Sequence, residues 1–158
     1  MRRQILTYFL VIFTSLHSFA SHVAGGNITW TCTGTNTYLI TLTLYRDCGG
    51  IPLNNTILTN TGSFPSFTNN QFSISSSCGV SPSFTGSANL TLISTTEVSQ
   101  LCPAQLPQSQ CNGGSYPGME EYVYQTQVTL PPCDCWTFSY TLCCRNSAIT
   151  NLASPAND

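Results

Sequence analysis

The sequence contains no lysine, and only 6% of its 158 residues are charged. Past residue 20 the cations are Arg46 and Arg145 alone, facing Asp47, Glu97, Glu120, Glu121, Asp134 and Asp158. Two arginines against six acids give a formal charge of −4 with histidine neutral. Displacing the counterions of a phosphate backbone takes several cations, so nucleic acid is excluded as a partner. An anionic membrane surface is excluded on the same ground. Histidine is scarce as well, because only His22 lies beyond residue 20. A Ser–His or Cys–His nucleophile would have to use it. It sits two residues past a predicted cleavage point, where a solvated terminal histidine is the better reading. There is no G-x-S-x-G elbow, since Gly113-Gly114-Ser115-Tyr116-Pro117 fails at its last position. There is no C-x-x-C knuckle of the kind that builds structural zinc sites. No cofactor or metal is expected. Beyond the first 20 residues no apolar run reaches the roughly 20 residues a membrane helix needs, and no stretch shows a 3.6-residue apolar period.

What is present begins with an export signal. Met1-Arg2-Arg3 is basic, Ile5 to Leu16 is apolar, and Ser18-Phe19-Ala20 has the small-x-small form that signal peptidase cleaves. Residues 1–20 are therefore expected to be removed, leaving 21–158 as one domain of 138 residues. All nine cysteines follow that signal. Thiols exported from the cytosol meet an oxidising compartment, so disulfides are the expected fate of most of them.

Period-two alternation dominates the exported part. Ile28, Trp30 and Cys32 share one strand face with threonines opposite, and Tyr38, Ile40, Leu42 and Leu44 share another. Gly34-Thr35-Asn36 between them predicts a hairpin over 27–46. Further strands are expected at Thr56–Asn60, Gln71–Ser75, Leu90–Thr95, Tyr122–Leu130 and from Trp136 to Cys144, with Pro131-Pro132 separating the last two. Many short strands with turn signals between them predict an all-β, antiparallel, disulfide-linked sandwich, Ig-like in the broad sense.

Nine is odd, so at least one thiol is free or pairs outside the chain. Cys102 and Cys111 enclose eight residues, and a bridge there would contribute about 2.5–3 kcal/mol. Cys48 and Cys144 both fall on apolar strand faces, which suggests a buried bridge, and Cys32 with Cys78 is a candidate second one. Cys133 and Cys135 point the same way on an extended chain and should each seek a distant partner. Cys143 and Cys144 are adjacent, and a bond between them would be strained. A Cys48–Cys144 bridge would bring Asp47 to Arg145 as a structural ion pair. Glu120 and Glu121 should point to opposite faces, which is poor geometry for acid–base catalysis, and a solvated strand edge is expected there. Sequons stand at Asn27-Ile28-Thr29, Asn54-Asn55-Thr56 and Asn89-Leu90-Thr91.

Several segments resemble a known family. Ser21-His22-Val23-Ala24-Gly25-Gly26-Asn27-Ile28-Thr29-Trp30 is similar to the SHIVGGEITY opening of large Bacteroidetes surface proteins. These carry a gliding-motility-associated C-terminal domain, the sorting signal of type IX secretion. Leu42-Thr43-Leu44-Tyr45-Arg46-Asp47-Cys48 resembles their LxxYRDC strand, and Tyr140-Thr141-Leu142-Cys143-Cys144-Arg145-Asn146 their YxxCCRN segment. Val128-Thr129-Leu130-Pro131-Pro132 falls between these in the same order. The resemblance implies a non-enzymatic, adhesin-like module at the cell surface or outside it, or in the periplasm for a chain without the sorting domain. It implies protein or glycan partners and further β domains beyond Asp158. It supplies no catalytic residues. The alternatives are a secreted carbohydrate-binding module, which would need a line of exposed aromatics with Trp30 and Trp136 as its best platform, and a secreted hydrolase or a truncated gene product without function.

Overall fold

A computed structural model describes residues 23–61 and 71–142. The expected export signal at 1–20, His22, Cys143, Cys144 and Arg145 lie outside those residues. Among the described residues eight strands form: β1 Val23–Gly34, β2 Thr37–Asp47, β3 Thr56–Asn60, β4 Gln71–Ser76, β5 Ser83–Phe84, β6 Leu90–Glu97, β7 Met119–Thr129 and β8 Trp136–Thr141. Two 3₁₀ turns, Leu106–Gln108 and Gln110–Asn112, lie in the connection from β6 to β7. The β1–β2 hairpin turns where the sequence predicts it, with Asn36 at φ 54°. Asparagine tolerates that left-handed conformation because its short amide can hydrogen-bond locally.

The strands run in the order β1-β2-β7-β6-β3-β4-β8, with β5 added against β7. β2 and β7 form an unbroken antiparallel ladder from Thr37↔Thr129 to Asp47↔Met119. β3 and β4 pair in parallel, the one departure from the antiparallel rule among the named pairings of the described residues. β8 packs against the core through Trp136, Phe138 and Tyr140. It also shares grooves with β1 and β2, so the last strand of the path comes round to face the first. The expected all-β, disulfide-linked fold is present. Its layers belong to one curled, nearly barrel-like sheet rather than to two separate sheets.

Alternation explains the core. Ile40, Leu42 and Leu44 of β2 and Tyr122, Tyr124 and Val128 of β7 point inward, meeting Ile57, Phe72, Ile74 and Leu90. Each fully buried side chain of this size contributes about 1.5–3 kcal/mol of transfer free energy. Tyr124 is completely buried, but its hydroxyl donates to the Asn54 carbonyl at 2.7 Å. Burial pushes that phenol well above its ordinary pKa, so it stays neutral. Phe72 and Phe138 stack across the β4–β8 ladder with centroids 6.2 Å apart.

Among the described residues two disulfides close the fold, Cys48–Cys111 and Cys78–Cys133. They correct three expected pairings. Cys111 does not bond to Cys102, Cys48 does not bond to Cys144, and Cys78 does not bond to Cys32. The reason is strand order. β7 sits between β2 and β6, so the β6–β7 connection folds over the end of β2, where the Cys48 amide donates to the Gly118 carbonyl at 3.0 Å. The β4–β8 ladder likewise sets Ser76 opposite Trp136 and carries on to bring Cys78 beside Cys133. Cys32, Cys102 and Cys135 remain free and exposed. Two such bridges belong to a chain that folds in an oxidising, extracytoplasmic compartment. Among the described residues no helix is long and apolar enough to cross a membrane.

Candidate functional site

Arg46 is the one buried charged side chain among the described residues, at 6% exposure. All five of its N–H groups find acceptors. Nη1 donates to Glu120 Oε2 at 2.8 Å and to the Tyr122 hydroxyl at 3.0 Å. Nη2 donates to the carbonyls of Cys48 at 3.1 Å and Gly50 at 3.2 Å, and Nε to that of Asp47 at 3.1 Å. Tyr122 in turn donates to Glu120 at 3.0 Å. The guanidinium uses its whole donor set to fasten the turn after β2 and to pair directly across to β7. Asp47 Oδ1 caps the same turn, accepting from the Gly49 amide at 2.9 Å. Arg46, Asp47 and Cys48 thus hold one corner together.

The ion pair at this corner differs from the expected one. Asp47 stabilises its own turn, Arg145 lies outside the described residues, and the pair that forms is Arg46–Glu120. Glu120 and Glu121 do point to opposite faces, Glu121 accepting from the Tyr45 hydroxyl at 3.0 Å. They are not at a solvated edge, because β7 is flanked by β2 and β6. Cys48 Sγ, Cys111 Sγ and a Glu120 oxygen lie within 4.8 Å of one another. The two sulfurs are bonded together, so they offer no thiolates to a metal. A Cβ at buried Gly118 would come within 2.6 Å of Cys111 Sγ, so the bridge requires glycine there. Nearby, Glu97 accepts from the hydroxyls of Ser109 and Ser99 and the amide of Asn112, which together hold its carboxyl below the usual range. This corner is a fully satisfied clasp.

The opposite situation holds along the seam between β1 and β8. Among the described residues no ladder joins these two strands. A groove of about 520 Å³ opens there, walled by Ile28, Trp30 and Tyr38 on one side and Leu130, Trp136 and Phe138 on the other. A second groove of about 440 Å³ continues past Ile28 along Gly25 and Gly26 to Leu44, Tyr140 and Leu142. Gly26 lies so close to β2 that a Cβ would sit 2.5 Å from the Thr43 carbonyl. Trp30 is 65% exposed. β1 has β2 on one side only, so a correct inward alternation still leaves the outer half of the strand uncovered. The Trp136 indole N–H donates to the Pro131 carbonyl at 3.3 Å, so the Pro131-Pro132 break also orients this ring. Burial pushes the Tyr140 phenol up to about 12, which keeps it neutral. Among the described residues, no carboxylate, imidazole or thiol lines either groove.

The residues proposed from sequence therefore divide. Cys48, Cys111, Cys78 and Cys133 form the two bridges; Cys32, Cys102 and Cys135 do not. Of two groups that the fold brings together, the sequence reading passed over the Arg46–Glu120–Tyr122 cluster and offered Trp30 and Trp136 only as the platform of the carbohydrate-binding alternative. The first had a signal, since an arginine inside an alternating apolar strand must find buried partners. No protein-family model, curated protein or solved structure matches this chain.

Proposed function

We propose that the chain is an exported, non-enzymatic recognition module of the adhesin-like kind its sequence resembles, acting at the cell surface or outside it. Its contacts are made through the groove between β1 and β8. The observation that carries this reading is Trp30, an indole 65% exposed facing Trp136 across an apolar groove. Concave apolar sites with aromatic walls are where proteins bury ligands, and tryptophan is the residue most enriched at binding hot spots. The neutral lining suits a ligand held by stacking and burial rather than by charge. The arrangement also favours one of the two partner classes, glycans, because flat aromatic faces on both walls can receive sugar rings.

Both tryptophans of the chain wall this groove, so intrinsic fluorescence reports on it directly. Titration of the exported domain with neutral polysaccharides should give a saturable change in tryptophan emission, abolished in Trp30→Ala. A response that survives Trp30→Ala unaltered would remove the groove from the account. No response to any neutral polysaccharide, together with a saturable one to extended peptides, would replace glycans by protein partners.

A further inference from the structure

The Cys78–Cys133 bridge has a neighbour that the Cys48–Cys111 bridge lacks. The β4–β8 register pairs Gln71 with Thr141 and Ser76 with Trp136. The next pair is Ser77 with Cys135, and the Ser77 amide does donate to the Cys135 carbonyl at 3.1 Å. Cys133 and Cys135 thus lie either side of the bend at Asp134 that leads into β8, and Cys78 lies in the turn after β4, next to the Ser77 that hydrogen-bonds to Cys135. Cys78 is bonded to one of the two, and the other is a free, exposed thiol.

We propose that Cys78, Cys133 and Cys135 form a thiol–disulfide exchange site. The Cys135 thiolate attacks Cys78 Sγ, the Cys78–Cys133 bond breaks, and a Cys78–Cys135 bond forms. Cys133 leaves as a thiolate and takes up the proton that Cys135 gave to solvent. One disulfide is present before and after, so no oxidant or reductant is consumed.

The surroundings favour exchange. Ser77 Oγ lies 3.4 Å from Cys133 Sγ, where its hydroxyl can donate to the departing thiolate. Cys133 Sγ is 3.5 Å from the Cys135 carbonyl oxygen, so the two cysteines are folded closely on one another. Cys78 and Ser77 are exposed, which leaves the bridge open to in-line attack, whereas Cys111 is half-buried against Gly118. One thiol, at position 133 or 135, thus stays free in every state of the exchange.

Peptide mapping of the full chain, produced in an oxidising compartment, tests this. The protein is held at pH 8 without added thiol, quenched with acid, alkylated, digested with pepsin, and sequenced by fragmentation that preserves disulfides. Cys78 should be found bonded to Cys133 in one fraction and to Cys135 in another, with the alkyl label on the complementary cysteine. Cys48–Cys111 should be unchanged. Cys133→Ser, oxidised with oxidised glutathione, should carry Cys78–Cys135. Cys135→Ser should carry Cys78–Cys133 alone. A wild-type chain in which Cys78 stays wholly with Cys133 after days at pH 8 would overturn the proposal. So would spread of Cys78 to Cys32 or Cys102, which would mean general scrambling rather than a site. If Cys133→Ser fails to fold, the wild-type partition still decides.

Discussion

One hairpin carries the two least conventional placements in the molecule. Near one end of β1–β2 the charged Arg46 is 6% exposed, and toward the other the large apolar Trp30 is 65% exposed. A buried charge and an exposed indole are the informative exceptions to ordinary burial. Arg46 is surrounded by five acceptors and joined to a disulfide-closed corner. Trp30 stands on the outermost strand beside a groove with nothing placed over it among the described residues. The comparison separates two meanings of an anomaly. The satisfied polar anomaly is structural, because every donor is already used within the chain. The apolar one leaves its surface available, and that surface is the candidate for function.

The strongest way to break the comparison is at Arg46. Arg46→Ala strands Glu120 and three turn carbonyls without their donors. Breaking a buried pair by removing one partner costs about 3–5 kcal/mol, which urea unfolding should detect as a large drop in midpoint. A loss below about 1 kcal/mol would make the clasp ornamental. Next in size is the bridge at the same corner. Cys48→Ser with Cys111→Ser opens a closure of 63 residues, worth about 4 kcal/mol on chain entropy. Because the Arg46 network holds the turn without the bridge, a loss of about 2–4 kcal/mol is expected in the same assay. The Cys78–Cys133 closure of 55 residues has nearly the same entropic value, about 4 kcal/mol. Access, not loop length, should therefore decide which bridge yields first to a mild reductant, and Cys78–Cys133 is expected to open first in timed alkylation.

The smallest effects sharpen the comparison. Glu97 has a folded pKa below its unfolded value near 4.5. A depressed carboxyl adds stability above the unfolded pKa and loses it as pH falls through the folded one. Thermal midpoints should be level from pH 8 to 5 and decline below about pH 4.5. Glu97→Gln should flatten part of that decline. The groove, by contrast, is lined by neutral groups, with Tyr140 raised to about 12. Ligand affinity measured there by fluorescence should be level between pH 5 and 9, a range in which a carboxylate- or histidine-based site would show a titration.

Much of the fold was legible because strand formation is a local matter. The alternation at Ile40, Leu42 and Leu44 and at Tyr122, Tyr124 and Val128 names two core strands, and β3 occurs at Thr56–Asn60 as read from sequence. Pairing is not local. Nothing in the residues alone sets β7 between β2 and β6, and that insertion carries Cys111 to Cys48 instead of to Cys102. The parallel β3–β4 contact depends on the same global arrangement. Alternation also gives a strand's inward face without saying whether anything covers it. Trp30 follows Ile28 on the inward side, yet β1 ends the sheet, so the indole reaches the rim. The candidate site was therefore visible as residues and hidden as a place.

The central claim is that Trp30 serves recognition while Arg46 serves the fold. It is tested most directly by measuring unfolding free energy and polysaccharide affinity together for Trp30→Ala. The account predicts a stability change within about 1 kcal/mol, as for an exposed side chain, and a loss of affinity of at least about tenfold, as for a hot-spot tryptophan. A variant that unfolds readily, or one that binds as the wild type does, would contradict it.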